Sequence, residues 1–591
     1  MKNFSEITDP AIIVFGNHLA TIQSMLDYDY LVGREAPSVK AVVGVQQKVC
    51  RYFFGNREIL IKGYQELADI PKAIRKEVEL VGVMQSARRV LTGIEQSISQ
   101  LPKLKAAFVF AENVTEQDAL KLREISTKAR IIVLGPASVG VLVGGGWKLG
   151  AIGGITATQL KDSGTLIPGD TVVVSTSGGI VNEIINRVTH SGGRLRYGVA
   201  IGGDLWPATK PYEIFEMALD DPNVKTIVYF GELGGHDEEK VAEIYAQAKT
   251  KKIAIAYIAG SISDHFETPQ QFGHAKAMAQ TETESAAYKK KILSNAGVQV
   301  ASGFADFEQL INKFVSKTQH EQSIIKEIKE PRMSALFVDN ISKEGDDGVV
   351  RILGEDILAF TKDRSLSETA LAMFTGRKKS SEQLKEFFDV VVKLLVDHGP
   401  QVSGAVNTMI TARAGNELPA ALASGLLTIG PRFGGAIDQA AQNWFKAVND
   451  GEKAYDFVER FAKNKIYIPG IGHRKYRVDN PDPRVQTLLK NFDQGGQYTK
   501  FAKEIAKVTA AKKANLILNV DGATACLLLD ILEGDEKLNK NQINEVLDSG
   551  FCNALFVFAR SVGFIAHYLE QKRLDEGLFR LPDGMVISEE T

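Results

Sequence analysis

The chain has 591 residues, of which 70 are Lys or Arg and 72 are Asp or Glu, so its formal net charge is −2. This balance leaves no large basic field, and we expect no nucleic-acid partner. A composition of 44% hydrophobic and 24% charged residues is typical of globular proteins, and the length predicts roughly three or four domains. Three scattered cysteines exclude a disulfide framework and a thiolate metal site, which favours a reducing cytoplasm.

No secretion signal or membrane segment is predicted. The sequence MKNFSEITDP has acidic residues and a proline where a secretory signal needs an apolar run. The sequence suggests only one membrane-like stretch, the uncharged segment 131–147, which as a helix would span only about 26 Å of a roughly 30 Å hydrocarbon layer. It contains a proline and five glycines, so we interpret it as a buried strand followed by a glycine-rich loop.

Residues 11–314 alternate short Val- and Ile-rich runs with longer segments of helical spacing, which is typical of a parallel α/β sheet. The runs are apolar throughout, as expected of strands covered on both faces. The clearest predicted strands are Ala11–Phe15, Ala106–Phe110, Ile131–Leu134, Thr171–Val174, Thr226–Phe230 and Ile253–Ile258. A glycine-rich passage at 142–155 indicates a crossing between two such domains, and we place the boundary at 150.

After residue 317 the composition changes. Polar residues without apolar periodicity predict an exposed linker, assigned to 319–345. Helical spacing dominates from Ser365 onward, and residues 346–591 are predicted to form a mostly helical domain. Its predicted helices include Glu382–Val396, Ala436–Val448, Tyr455–Asn464 and Gln542–Asp548.

Glycines and polar residues follow several predicted strands, where parallel sheets bind their ligands. Gly16 and Asn17 follow the first strand but lack the full dinucleotide fingerprint, which leaves a nucleotide-bearing ligand of another kind open. Gly178 and Gly179 precede a predicted helix whose free N–H groups suit a phosphate or carboxylate. A tight turn that needs glycine explains these two residues equally well.

Two ionisable residues follow later strands. Glu232 ends a strand within GELGG, and helix capping is its alternative role. His274 lies in the small-residue loop FGHA, where a neutral imidazole could attack a phosphoryl group if a carboxylate fixed its tautomer. Glu232 or Glu112 could supply that carboxylate, whereas a lone histidine is usually structural.

Three segments of the helical half combine charged residues with glycine or apolar runs. They are DHGPQVSGA with His398, GIGHRKYRVDNPDPR with His473, Arg474 and Arg484, and NLILNVDGATA with Asp521. An unpaired charge beside glycine or apolar residues costs free energy. A bound polyanion would explain these charged residues, since arginine pairs well with carboxylates. Unconnected caps and salt bridges are the alternative, which any one segment alone would favour.

The motifs of the first half resemble the α subunit of succinyl-CoA synthetase and, more closely, the matching part of the ATP-citrate lyase family, which MLDYDY at 25–30 favours. The resemblance implies a Rossmann-like CoA-binding domain over 1–150, with Gly16 and Asn17 at the CoA site. A flavodoxin-like CoA-ligase domain would follow over 151–318.

Within that ligase domain the resemblance also implies roles for single residues. His274 would be a phosphohistidine, Glu232 its hydrogen-bonding partner and Glu112 a further acid near the site. Gly178 and Gly179 would cradle citryl phosphate. One departure is Lys276, which stands where the family has glycine, and the sequence leaves its role open.

The segments of the second half resemble the citrate synthase fold in the form fused to ATP-citrate lyases. The implied roles are citryl or oxaloacetate binding by His398 and His473, carboxylate binding by Arg474, Arg484 and Arg560, acid-base chemistry by Asp521, and a reach into a neighbouring subunit's site by Arg580. Phe433 stands where citrate synthases have a histidine that stabilises the enol of acetyl-CoA. The resemblance therefore implies citryl-CoA cleavage rather than ordinary citrate synthesis.

The implied activity is that of a two-subunit ATP-citrate lyase, which forms acetyl-CoA, oxaloacetate, ADP and phosphate from citrate, CoA and ATP. Because the sequence shows no P-loop or other ATP site and no metal ligands, a separate ATP-grasp subunit is expected to supply ATP and Mg²⁺. A tetramer of this chain within a hetero-octamer is expected by resemblance. The alternatives are a citrate-CoA ligase subunit without lyase activity and a non-catalytic CoA-binding scaffold.

Overall fold

The computed structural model describes residues 4–249, 252–266, 268–272, 274, 277–317, 326–345, 347–430 and 433–588. The chain forms two compact units, Met1–Leu336 and Phe337–Thr591. The first contains two sheets with helices and the second is mostly helical, which confirms the predicted order of an α/β half and a helical half. The division between the units lies inside the segment 319–345 that the sequence assigns to a linker.

The first sheet consists of β1 (Ala11–Phe15), β2 (Val39–Val43), β3 (Val49–Phe54), β4 (Arg57–Tyr64), β5 (Val78–Val83), β6 (Ala106–Val109) and β7 (Ile132–Leu134). Its described strands lie in the order β3-β4-β2-β1-β5-β6-β7. All neighbours are parallel except in the β3–β4 hairpin. Every residue of β1 is buried, as its uninterrupted apolar sequence predicts for a strand covered on both faces.

The second sheet consists of β8 (Gly140–Val143), β9 (Lys148–Gly150), β10 (Thr171–Ser175), β11 (Leu195–Ala200), β12 (Thr226–Glu232), β13 (Ile253–Ala259) and β14 (Gln299–Val300). Its described strands lie in the order β14-β13-β12-β10-β11-β8-β9. The change between sheets therefore lies before Gly140, not at 150, because β8 pairs with β11 and β9 with β8. The segment 131–147 accordingly contains two strands, β7 and β8, where the sequence predicted one strand and a loop.

Helices cover the two sheets. They are α1 (Leu19–Leu31), α2 (Lys72–Arg75), α3 (Ala87–Gln100), α4 (Glu116–Ala129), α5 (Ala157–Asp162), α6 (Gly178–His190), α7 (Pro211–Asp220), α8 (Asp237–Gln247), α9 (Ala286–Asn295) and α10 (Phe304–Phe314). Short 3₁₀ helices lie at Phe4–Glu6, Leu67–Asp69, Ser261–His265 and Glu282–Glu284. In α10, Phe307 and Ile311 are four residues apart and share the buried face. One apolar core joins both sheets and contains the large side chains of Phe108, Trp147 and Tyr197.

The second unit begins with a small antiparallel sheet of β15 (Ser342–Glu344), β16 (Val350–Ile352) and β17 (Glu355–Asp356). Its helices are α11 (Ile357–Lys362), α12 (Leu366–Thr375), α13 (Glu382–Leu395), α14 (Ser403–Arg413), α15 (Leu418–Leu426), α16 (Ala436–Asn449), α17 (Ala454–Lys463), α18 (Pro483–Phe492), α19 (Gln497–Lys512), α20 (Val520–Gly534), α21 (Lys540–Asp548) and α22 (Phe551–Leu574). Helix α20 is buried along nearly its whole length, so the other helices pack around it.

By length and composition, α22 could cross a membrane, which was not predicted from the sequence. Only part of its most apolar stretch is buried, 44% of it, and the helix packs against α13, α14 and α15. The core helix of a globular domain has the same composition. One such helix is therefore weak support for a membrane span.

Candidate functional site

The carboxyl ends of the parallel strands β10 to β13 meet at one edge of the second sheet. Ser177 follows β10 and precedes α6, Glu232 is the last residue of β12, and His274 follows β13. Loops and helix N-termini converge at this edge of a parallel sheet and form its usual ligand site. Ser177, Glu232 and His274 therefore lie at the ligand-binding edge of the second sheet.

His274 and Glu232 form a hydrogen-bonded pair. Nδ1 of the imidazole lies 3.0 Å from one carboxylate oxygen of Glu232 and 3.2 Å from the other. A carboxylate only accepts hydrogen bonds, so Nδ1 carries the proton and Nε2 keeps its lone pair. The hydrogen bond to Glu232 raises the pKa of His274, and the negative charges of Glu232 and Glu112 raise it further. Burial acts in the opposite direction and lowers this pKa. The His274 side chain is 38% exposed, so its ring is open to an incoming group.

The imidazole lies directly against backbone that follows β11. A Cβ on Gly203 would be 2.6 Å from both Cγ and Cδ2 of the His274 ring, closer than real side chains allow. The preceding Gly202 has a φ of +110°, a conformation that favours glycine. Gly203 therefore leaves room for the ring, and Gly202 sets the backbone conformation before it.

Gly178 and Gly179 form the first turn of α6. The first N–H groups of a helix have no partner within it, and the positive end of its dipole lies there. A Cβ on Gly179 would meet nothing within 4 Å, whereas one on Gly178 would lie 3.0 Å from Val139. The turn is therefore open to solvent at Gly179 and packed against Val139 at Gly178, an arrangement that suits anion binding by backbone N–H groups.

Gly16 and Asn17 follow β1 at the corresponding edge of the first sheet. Gly16 has a φ of +88°, and a Cβ there would lie 2.7 Å from the carbonyl oxygen of Met84. The side-chain oxygen of Asn17 accepts a short hydrogen bond from the hydroxyl of Tyr52. These contacts shape the first strand-to-helix turn of that sheet, which is a common position for the nucleotide part of a ligand.

A second group of ionisable residues lies in the helical unit, where the loop before His473 is held against the start of α20. The N–H of Asn519 donates to the carbonyl of Gly470 at 3.0 Å. A Cβ on Gly470 would lie 2.8 Å from the Cα of Gly522, so the two backbones touch and need glycine. This contact places the histidine loop beside the first turn of α20, which carries Asp521.

The two predicted histidines of this unit are fixed as neutral rings. Nδ1 of His473 accepts the backbone N–H groups of Lys475 and Tyr476, each at 3.0 Å. Nδ1 of His398 accepts a hydrogen bond of 3.0 Å from the guanidinium of Arg484. Burial lowers the pKa of both histidines, and the charge of Arg484 lowers that of His398 further. Both rings therefore carry their proton on Nε2 and can donate it to a ligand.

Two arginines accompany the histidines. Asp482 fixes Arg484 through contacts of 3.0 Å to Nε and 2.7 Å to Nη2. Arg560 is 3% exposed, yet its Nε and Nη1 have no hydrogen-bond partner among the described residues. Its guanidinium lies over the rings of Phe433 and Phe556. A buried cation without a partner is costly, and a carboxylate ligand would remove that cost.

Asp521 is the acid of this cluster. Burial raises its pKa to about 6, although the charges of Arg484 and Arg560 act in the opposite direction. A carboxyl group with that pKa can exchange protons near neutral pH. With two guanidiniums and two Nε2–H donors around it, the cluster suits a ligand with several carboxylates.

Some predicted residues are not part of these clusters. Arg474 and Arg580 are exposed and have no hydrogen bond or ion pair in the described part of the chain, so their roles stay predictions. Lys276 lies outside the described residues. Asp482 was not predicted from the sequence, although an aspartate before proline at a helix start, as in NPDPR, is a capping signal. No three His, Cys, Asp or Glu side chains are placed to hold a metal ion within the ranges described.

Comparison with known proteins gives two family models, which overlap at 246–302. The family model "CoA-ligase" matches residues 174–302, and "Citrate synthase, C-terminal domain" matches residues 246–581. A probable ATP-citrate synthase subunit 1 of Neurospora crassa is 35% identical over 96% of this chain and 88% of its own length. A probable ATP-citrate synthase of Caenorhabditis elegans is also 35% identical, over 97% of this chain, which spans 54% of that protein.

A solved structure gives the same result. ATP citrate lyase from Methanothrix soehngenii, in complex with citrate and coenzyme A, is 31% identical with a TM-score of 0.52. The match covers 99% of this chain and 98% of the other. With the fungal relative, it confirms the resemblance that the motifs indicated. The chain belongs to the ATP-citrate synthase family of enzymes, also named ATP citrate lyases.

Proposed function

We propose that this chain is the catalytic subunit of a two-subunit ATP-citrate lyase, which makes acetyl-CoA, oxaloacetate, ADP and phosphate from citrate, CoA and ATP. The observation that carries the proposal is that one chain holds both a carboxylate-paired histidine and a second, partly exposed cluster of arginines, neutral histidines and an acid. The first suits phosphoryl transfer, and the second suits proton transfer on a polycarboxylate.

In the first stage, Nε2 of His274 attacks the γ-phosphorus of ATP, and the bond between that phosphorus and the ADP oxygen breaks. The phosphoryl group then passes to a carboxylate oxygen of citrate, and the CoA thiolate displaces phosphate to give citryl-CoA. Glu232 keeps the proton on Nδ1 and stabilises the positive charge of the ring. Gly178 and Gly179 would hold the acyl phosphate through backbone N–H groups.

Other residues of the α/β unit complete this stage. Glu112 acts on the charge of His274 from nearby, so its carboxylate would favour the cationic form of the ring. Gly16 and Asn17 would bind CoA at the first turn of the first sheet.

In the second stage, citryl-CoA is cleaved in the helical unit. Cleavage removes a proton from the citryl hydroxyl, breaks the adjacent carbon-carbon bond and delivers a proton to the acetyl carbon. We assign these proton transfers to Asp521, His398 and His473, whose protonation the surrounding contacts support. Arg484 and Arg560 would bind the carboxylates of the oxaloacetate part, and Arg474 and Arg580 are further candidates for that role.

ATP and Mg²⁺ would be supplied by a separate ATP-grasp subunit. The fungal relative is named subunit 1, which implies a partner chain. We further propose that the helical units associate into a tetramer within a hetero-octamer. The three cysteines are buried and unpaired, which fits a reducing cytoplasm.

A pair of variants tests the proposal in the complex with a candidate ATP-grasp subunit. His274→Ala should abolish ATP-dependent citrate cleavage and leave cleavage of supplied citryl-CoA intact. Asp521→Ala should abolish citryl-CoA cleavage and leave formation of citryl-CoA from citrate intact.

The same assays separate the alternatives. A protein that forms citryl-CoA but never cleaves it is a citrate-CoA ligase subunit. A protein that neither gains acid-labile phosphate nor cleaves citryl-CoA is a non-catalytic scaffold, and this result would refute the proposal.

A further inference from the structure

A buried group of three polar side chains lies beneath the strand end that carries Glu232. The Lys289 ammonium, from α9, lies 2.6 Å from the carboxylate of Glu238 in the first turn of α8. The hydroxyl of Tyr229, from β12, donates to the same carboxylate at 2.8 Å. The Lys289 and Glu238 side chains are 1% and 0% exposed.

Lys289 also holds the backbone around Glu232. Its Nζ donates to the carbonyl of Glu232 at 2.9 Å and to that of Gly234 at 2.6 Å. Lys289 thus combines an ion pair with Glu238 and two hydrogen bonds to backbone carbonyls. A single side chain therefore links the end of β12 to the start of α8.

This stretch of backbone needs such support. Gly234 and Gly235 follow with φ values of +88° and +64°, and glycine has the greatest conformational freedom of any residue. Glycine is also required at 231, where a Cβ would lie 2.5 Å from a carboxylate oxygen of Glu238. The strand thus packs directly on the buried ion pair, and the ion pair borders the residue that contacts His274.

Stability alone does not account for a buried ion pair, because apolar side chains of similar volume are often as stabilising. We propose that Lys289 is a positioning residue for phosphoryl transfer: it fixes the backbone at the end of β12 so that the Glu232 carboxylate stays at Nδ1 of His274. The inference rests on the proposed function of His274. It adds a residue that the sequence did not single out, because Lys289 lies among three consecutive lysines.

The test uses the double variant Lys289→Met with Glu238→Gln. Lys289→Met alone would leave a buried carboxylate unpaired and risks unfolding, whereas the double variant removes both charges. Lys252→Met is the matched control, because Lys252 also donates to two backbone carbonyls, those of Ala218 and Asp221, but precedes β13 at its opposite end.

Two measurements are made on the full chain. The first is the pKa of His274 without phosphate, from the pH dependence of its acylation by diethylpyrocarbonate, read by peptide mass spectrometry. The second is the rate of His274 phosphorylation by ATP in the complex with the ATP-grasp subunit. In the double variant we expect the pKa to fall and phosphorylation to slow by at least about tenfold, since small displacements of reacting groups have effects of this size.

The titration decides the inference. An unchanged pKa of His274 in the double variant would overturn the inference, whatever the rate of phosphorylation. An equal decrease of this pKa in Lys252→Met would also overturn it. If the unmodified protein gains no phosphate on His274, the proposed function fails, while the titration still decides whether Lys289 positions Glu232.

Discussion

Replacing Asp521 by asparagine should make the ligand-free helical unit more stable at neutral pH while abolishing citryl-CoA cleavage. The structure gives the reason: burial raises the pKa of Asp521 from 3.8 to about 6, despite the opposing charges of Arg484 and Arg560. Between these values the folded chain holds a proton that the unfolded chain has released. The free energy of unfolding therefore decreases as the pH rises from 3.8 to about 6, and the whole decrease is present above pH 6.

The size of the effect follows from the two pKa values. A difference of about two units corresponds to about 3 kcal/mol at pH 7.5 and to about half of that at pH 5. Asp521 is partly accessible to solvent, which reduces the expected gain of the asparagine variant to between about 1 and 3 kcal/mol. For a unit of this size, each kcal/mol moves the unfolding midpoint by about 2–4 °C.

Scanning calorimetry of the full chain measures this shift. The transition of the helical unit should move upward at pH 7.5 and by about half as much at pH 5. The transition of the α/β unit should stay in place and is an internal control. An absent shift at pH 7.5, or equal shifts at both pH values, would show that Asp521 is not held as a buried carboxylate.

Three more variants follow from the same contacts. Gly203→Ala should push the His274 ring away from its carboxylate partner and slow phosphorylation by about tenfold or more, measured by transfer of labelled phosphate from ATP. Gly522→Ala should destabilise the helical unit by about 1–3 kcal/mol in urea unfolding, because its Cβ would meet the carbonyl of Gly470. Arg560→Met should weaken citryl-CoA binding at least tenfold without loss of stability, since Nε and Nη1 of the buried guanidinium have no hydrogen-bond partner among the described residues.

Each variant has a control. Gly303→Ala adds a methyl group where nothing lies within 4 Å and should leave phosphorylation unchanged. Gly534→Ala, at the end of the same helix as Gly522, also meets nothing and should not destabilise. For Arg560→Met, calorimetry without ligand is the control. Normal phosphorylation in Gly203→Ala, unchanged stability in Gly522→Ala, or normal citryl-CoA binding in Arg560→Met would each contradict the geometry.

The strands that could be predicted from the sequence are those covered on both faces. β1, β10, β12 and β13 are apolar runs, and the predicted bounds agree to within two residues. The β3–β4 hairpin was not predicted, because exposed positions such as Arg51 and Lys62 interrupt its apolar pattern. β8 was interpreted as loop since glycines surround it, and its pairing with β11 and β9 shows that it is a strand.

A candidate site could be predicted where both interacting residues lie in recognisable sequence motifs. GELGG and FGHA supplied both members of the His274–Glu232 pair, and the order of parallel strands brings them together. The tautomers of His398 and His473 were not predictable, because they depend on a guanidinium from a distant segment and on backbone N–H groups. Such contacts have no residue-type signature.

The pKa of the histidine is raised at the His274 site, whereas the pKa values of both histidines near Asp521 are lowered. The chemistry proposed for each site explains this difference. At His274 a carboxylate raises the pKa of the ring and keeps the proton on Nδ1, so that Nε2 is a basic nucleophile for phosphorus. Around Asp521, burial and arginines keep His398 and His473 neutral, while the acid itself is shifted toward neutrality. A group that must both give and take protons needs a pKa near the working pH, whereas a group that must form a bond to phosphorus needs a free and basic lone pair.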